Sequence, residues 1–365
     1  MKLIDHHVHG VVTTDLDRAG FEELITEGRA EPGRTMFDTQ LGFTIRRWCA
    51  PVLDLEPFAP ADEYLSRRAE LGVDEVNRRL LGAADVAMWL VDTGFQGDRL
   101  TTPEQLAAAS ETPARHVVRL EAVAEQVLAT RVTASGFAGS FASALAQATE
   151  TANAVGCKSV VAYRHGFDFD PARPTAAEVT DAAGRALLRA GSRIEDPVLL
   201  RHLIWSALEV GLPLQFHVGF GDTDVRLHRS NPSLLHDFLL ATQDIGTAIM
   251  LLHCYPFHRE AGYLANVFPH VYIDLGAILN HVGARSAAVL AEALELTPFH
   301  KMLYSSDAFG LPELHYLGAT GFRRDLAAVT DAFVAGGAWA SADANYVSNL
   351  IGFENAARVY RLEQA

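Results

Sequence analysis

The sequence predicts an α/β chain closed into a (β/α)8 TIM barrel, and three observations predict it. Eight short apolar runs alternate with amphipathic stretches rich in Ala, Leu and Glu, the pattern of parallel βαβ units. The chain has 365 residues, enough for eight such units. Histidines and acids capable of binding a metal fall at the C-terminal ends of the runs, where barrels of this class carry their chemistry. A doubly wound sheet is the alternative, but no GxGxxG turn follows the first run.

The first run, Leu3 to His9, ends in His7-Val8-His9. Residues two apart on a strand face the same side, so these imidazoles point one way, and neutral imidazole is a common metal ligand. Thr13 to about Gly82 follows, mixing Gly, Pro and charge with helical pieces such as Ala61 to Leu71. A connection that long is usually functional or a small subdomain. Residues 13–82 are therefore expected to be a mostly helical insertion capping the mouth of a single domain, 1–365. The second run, Asp85 to Val91, leads into Asp92, and the third, His116 to Glu121, ends in Glu121. The fourth, Ser159 to Arg164, ends in Tyr163-Arg164. The fifth, Leu214 to Val218, carries His217, and the sixth, Ala248 to His253, ends in His253. Val271 to Leu275 is the seventh, and Lys301 to Ser305, the eighth, leads into Asp307. Gly352 to Tyr360 reads as a closing helix.

Composition narrows the function. Apolar residues make up 49% and charged residues 21%, ordinary for a globular enzyme. The formal net charge of -15, from 30 basic and 45 acidic residues, argues against nucleic acid or an anionic membrane as partner. No apolar run reaches the roughly 18 residues of a membrane span, and the N-terminus lacks the order of a signal peptide. Cys49, Cys157 and Cys254 form no CxxC pair and suit reduced thiols in the cytoplasm. A small-molecule substrate is expected.

His7, His9, His217 and Asp307 supply three nitrogens and a carboxylate, which suits one divalent ion with an open position. The His-rich set favours Zn, although Mn, Fe and Ni accept the same donors. A second ion in comparable barrels needs a bridging Lys or Glu on strand four, and Lys158 is the only candidate. It precedes Arg164 by roughly 20 Å at about 3.3 Å per residue, so it is expected near the barrel bottom, and one metal is expected. Arg164 is placed for a substrate carboxylate, which arginine binds with two parallel hydrogen bonds. Tyr163 stands beside it, Arg259 lies just past His253, and Glu121 is placed for an α-amino group.

Together, Asp5-x-His7-x-His9, His217, His253 and Asp307 resemble the amidohydrolase superfamily across essentially the whole chain. Three longer strings are similar to its amidohydrolase-2 branch, in particular the FluG-type and nodulin/glutamine-synthetase-like domain. They are Lys158-Ser159-Val160-Val161-Ala162-Tyr163-Arg164, His217-Val218-Gly219-Phe220-Gly221-Asp222 and His253-Cys254-Tyr255-Pro256-Phe257-His258-Arg259-Glu260-Ala261-Gly262-Tyr263-Leu264. The resemblance implies metal ligation by His7, His9, His217 and Asp307, with His253 as the acid/base of strand six. Adenosine-deaminase-like members carry a Glu three residues after the strand-five His, where this chain has Phe220, which argues against purine deamination. The expected activity is metal-dependent hydrolysis of an amide in a small carboxylate-bearing substrate, such as a γ-glutamyl amide. In that expectation Asp307 takes the water proton and passes it to the leaving amine. His253 stabilises the oxyanion or shares the proton transfer, and Asp5 orients a ligand histidine. Two other readings stay open: a nonoxidative decarboxylase of a small unsaturated or aromatic acid using the same ligands, and a non-catalytic assembly protein. Barrels of this kind commonly associate, so a homo-oligomer is expected.

Overall fold

A computed structural model describes residues 1–362 apart from 30, 32, 96–98, 190 and 192. Among the described residues seven strands form one sheet in chain order: β1 (Ile4–Val8), β2 (Met88–Asp92), β3 (Ala114–Arg119), β4 (Gly156–Ser159), β5 (Leu214–His217), β6 (Ile249–Leu252) and β7 (Val271–Ile273). Every neighbouring pair is parallel. The eighth predicted run closes the ring as an extended segment rather than a regular strand. Leu303 N–H donates to the Ile273 carbonyl at 2.9 Å, and His6 N–H donates to the Tyr304 carbonyl at 3.2 Å. Beyond it, Asp307 N–H reaches the His7 carbonyl at 3.1 Å. The fold is a TIM barrel.

Both faces of most strands are buried, as a parallel sheet covered by helices requires, β3 being the most open. Ile4, Leu90, Val117, Met250, Leu252 and Leu303 belong to the smaller of two apolar clusters, with Tyr360 from the end of the chain. The larger cluster joins strand residues such as Trp89, Cys157, Phe216 and Leu251 to helices such as Pro197–Val210 and Pro312–Ala335. A register shift between Asp5 and Val8 marks a bulge in β1. An extra residue in one strand re-aims the side chains after it. Here it lets adjacent histidines both reach buried partners, His6 meeting Tyr360 and His7 meeting Gln215.

Residues 13–82 carry the helices Arg18–Glu23, Gln40–Thr44 and Ala61–Leu71 and most of Val73–Ala84. Ala61–Leu71 is fastened to Pro312–Ala335 by one buried carboxylate. Glu313 Oε1 accepts from Arg68 Nε at 2.8 Å and from the Tyr64 hydroxyl at 2.9 Å. Phe21 and Phe37 stack beside Tyr64 with ring centres 5.5 Å apart. No described helix is long and apolar enough to cross a membrane.

Two predicted strand ends move. β3 stops at Arg119, and Glu121 lies in the following helix Leu120–Ala129. β4 stops at Ser159, and Val161–Arg164 is a helical turn. The β-branched pair Val160-Val161 favours a strand by propensity, but Glu121 decides otherwise. Its Oε1 accepts from the Ser159 hydroxyl at 2.8 Å and from Val160 N–H at 3.0 Å, taking that N–H out of the ladder.

Candidate active site

A cavity of about 570 Å³ opens where the strands end, and His7, His9, His217, His253 and Asp307 all line it. His7 Nε2 lies 3.2 Å and His9 Nε2 3.7 Å from Asp307 Oδ1. His253 Nδ1 lies 3.4 Å from Asp307 Oδ2. Rings of His217 and His253 approach to 4.7 Å between centres. Burial holds His7, His217 and His253 well below the usual imidazole pKa and lowers His9 to about 4. All four rings are therefore neutral near pH 7, the form that binds metals.

The donor set fits a divalent ion. His7, His9 and Asp307 present donor atoms within 4.8 Å of one another. His217 Nε2 and His253 Nδ1 are buried without a hydrogen-bond partner, and orphaned buried nitrogens of this kind demand an explanation. Space is kept beside His217 by Gly221, where a Cβ would stand 3.0 Å from Nε2 and 2.4 Å from the Tyr163 hydroxyl.

Outer partners choose which nitrogen His7 and His9 offer. His7 Nδ1 meets Gln215 Oε1 at 2.8 Å, while Gln215 Nε2 donates to the His6 carbonyl and the Tyr360 hydroxyl. With the amide nitrogen so committed, Oε1 accepts from His7 Nδ1–H and leaves Nε2 free for a metal. His9 Nδ1 donates to the Asp92 carbonyl at 3.0 Å, with the same result. Such partners are typically worth 10–100-fold in metal affinity. Gln215→Leu is expected to weaken metal binding by roughly that factor, read by competition with a chromogenic chelator. Unchanged affinity would remove Gln215 from this role.

Asp274 braces the other side. Its Oδ1 accepts from His253 N–H at 2.8 Å and Gly276 N–H at 2.7 Å, and its Oδ2 lies 2.9 Å from His6 Nε2. It thereby fixes His253, whose φ is +69°. Asp5 accepts from Ser306 N–H at 3.0 Å and is also hydrogen-bonded by the His7 backbone. Burial raises it to about 8, so it is neutral at pH 7.

Residues 4–362 match the profile of the amidohydrolase family, branch 2. The chain belongs to that family. This amidohydrolase is 31% identical to protein fluG of Emericella nidulans, over 99% of this chain and 46% of fluG. It therefore spans about half the length of that relative. It is 28% identical to a presumed metal-dependent hydrolase of Lactobacillus casei, with a TM-score of 0.87 over 99% of this chain and 95% of the other. A uronate isomerase of Thermotoga maritima, 13% identical with a TM-score of 0.64 over 99% and 94% of the two chains, shares the fold. Membership of this family, with a metal-dependent hydrolase among the similar structures, implies a divalent metal.

The remaining expected site residues of this amidohydrolase divide. Tyr163 lines the cavity with its ring 4.4 Å from that of His217. Arg164 also lines it, with Nη2 3.1 Å from Glu125 and with Nε and Nη1 buried and unpartnered. Glu121 does not reach the cavity, because its carboxylate is spent on Ser159 and Val160. Arg259 does not either: it stands on the helix His258–Val267 and pairs outward with Glu295 at 2.9 Å. Lys158 reverses its expectation. Because β4 begins at Gly156, Lys158 sits in the strand and lines the cavity, with Nζ 3.4 Å from His7 Nε2. The argument for one metal from an empty strand-four position therefore falls. Burial lowers Lys158 to about 8. Gln215 and Arg119 are not among the expected site residues, and Asp92, expected at a strand end, gains its role only here. Gln215 carried a usable signal, since it lies two residues before His217 on one strand and so faces the same side.

Proposed function

We propose that this amidohydrolase cleaves an amide bond in a small carboxylate-bearing substrate, with a γ-glutamyl amide as the class that suits it. The observation that carries the reading is Asp307, which faces His7, His9 and His253 in one cavity whose wall bears Arg119 and Arg164. A divalent ion held by His7, His9, His217 and Asp307, with zinc favoured by the nitrogen-rich set, would polarise the scissile carbonyl and acidify water.

The protein's own groups do the rest. Burial raises Asp307 to about 6, which suits a carboxylate that must take and return a proton near neutrality. Asp307 accepts the proton of the attacking water and delivers it to the leaving amine. His253, neutral and 3.4 Å from Asp307 Oδ2, stabilises the developing oxyanion. An arginine of the cavity wall holds the substrate carboxylate. Leu24, Glu27 and Gly28 line the cavity from within 13–82, and we assign that segment to covering the mouth.

The test is a panel of γ-glutamyl amines given to metal-loaded protein, with free glutamate followed by mass spectrometry. Glutamate released by the unmutated protein and not by Asp307→Asn is the expected result. Carbon dioxide release without glutamate from a panel of unsaturated acids would replace hydrolysis by decarboxylation. No turnover of either kind would favour an assembly role.

A further inference from the structure

We propose that Arg119 is the receptor for the substrate's carboxylate, and so the residue that decides which substrates the cavity accepts. This rests on the reading of a carboxylate-bearing substrate and assigns its anchor to a group other than Arg164. Arg119 is the last residue of β3, with Lys158 of β4 as its register partner. It therefore belongs to the ring of strand ends from which the metal donors arise. Arg164 stands beyond that ring, on the turn Val161–Arg164, with two of its nitrogens sealed from solvent.

The guanidinium of Arg119 is built into place. Nε and Nη2 both donate to Asp92 Oδ2, Nε at 3.0 Å. The Phe95 ring centre lies 5.4 Å from the guanidinium carbon. Gly94 makes the room, since a Cβ there would stand 2.2 Å from Arg119 Cβ. Asp92 thus occupies one edge of the fork. Nη1 has no hydrogen-bond partner among the described residues, and Arg119 lines the cavity. The edge formed by Nη1 and the second N–H of Nη2 matches a carboxylate with two parallel hydrogen bonds.

One residue sets both ends of the reaction. The Asp92 side chain aims Arg119, and the Asp92 backbone carbonyl accepts from His9 Nδ1 at 3.0 Å. The separation between anchored carboxylate and metal donor is therefore fixed through a single position. A substrate whose carboxylate and scissile carbonyl are separated by a matching number of bonds reacts, and shorter or longer ones do not.

The experiment measures calorimetric binding of glutarate, and of its uncharged diamide glutaramide, to metal-loaded protein. Arg119→Met is expected to weaken glutarate by roughly 100-fold and glutaramide by less than about threefold. Arg119→Lys keeps a cation beside Asp92 and hence the fold, but lacks the fork, and is expected to weaken glutarate about tenfold. Gly94→Ala, which displaces the guanidinium without removing it, should also weaken glutarate. Arg164→Met should weaken it less than Arg119→Met does. The proposal is overturned if Arg119→Lys and Arg119→Met bind glutarate as the unmutated protein does, or if Arg164→Met has the larger effect. Binding is read without turnover, so a protein that cleaves no amide yet loses glutarate with Arg119 would retire the hydrolysis reading and keep this one.

Discussion

Asp307→Asn is expected to lower kcat/KM by roughly 10²–10⁴-fold, the range a positioned acid/base contributes, while the protein stays folded. Asparagine suits the site conformationally. Asp307 has a φ of +50°, a left-handed value that Asn tolerates better than most residues. The backbone hydrogen bond to the His7 carbonyl is unaffected by the change. What is lost is the anionic oxygen facing His7 and His9 and the proton acceptor facing His253. Metal content measured on the same sample separates the two losses. Inactive protein with metal retained supports proton transfer by Asp307. Full activity with metal retained would move that role to another group, His253 at 3.4 Å being the candidate.

The second large effect is on stability. Glu313→Ala should destabilise the fold by about 3–5 kcal/mol, because it leaves a buried arginine without its countercharge. Arg68 is 4% exposed and Glu313 0%, so water cannot take the carboxylate's place, and the Tyr64 hydroxyl loses its acceptor as well. At roughly 2 °C or more per kcal/mol for a chain of this size, the melting temperature should fall by several degrees. Glu313→Gln, which can still accept from Tyr64, should fall less. Thermal and urea unfolding check this, and a Glu313→Ala midpoint equal to that of the unmutated protein would show that the clamp contributes nothing.

The strand-end histidines were legible because strand periodicity and barrel topology together assign them one location. His7, His9, His217, His253 and Asp307 need no long-range information beyond strand order to be gathered at one mouth. The failures have a different origin. Lys158 was misplaced because β4 ends where Glu121 captures the Val160 N–H, a contact across 39 residues that propensity does not contain. The same contact explains why Glu121 is absent from the cavity. The β1 bulge breaks strict alternation, so a two-residue period could not assign partners to both His6 and His7. Arg259 follows His253 closely in sequence, but the helix beginning at His258 carries it to the outer surface. Arg68 and Glu313 lie 245 residues apart, and nothing local in either helix marks them as a pair.

The metal donors and the walls around them are built from separable parts. His7 is tied downward through Gln215 to Tyr360, and His253 to Asp274. Leu24, Phe95, Tyr163, Asp222 and Phe309 line the cavity from connecting segments. Loops tolerate change that packed strand ends do not. A combinatorial library confined to those five positions would therefore redraw the chamber while its reactive floor stays put, making this barrel a practical starting point for selecting new hydrolases.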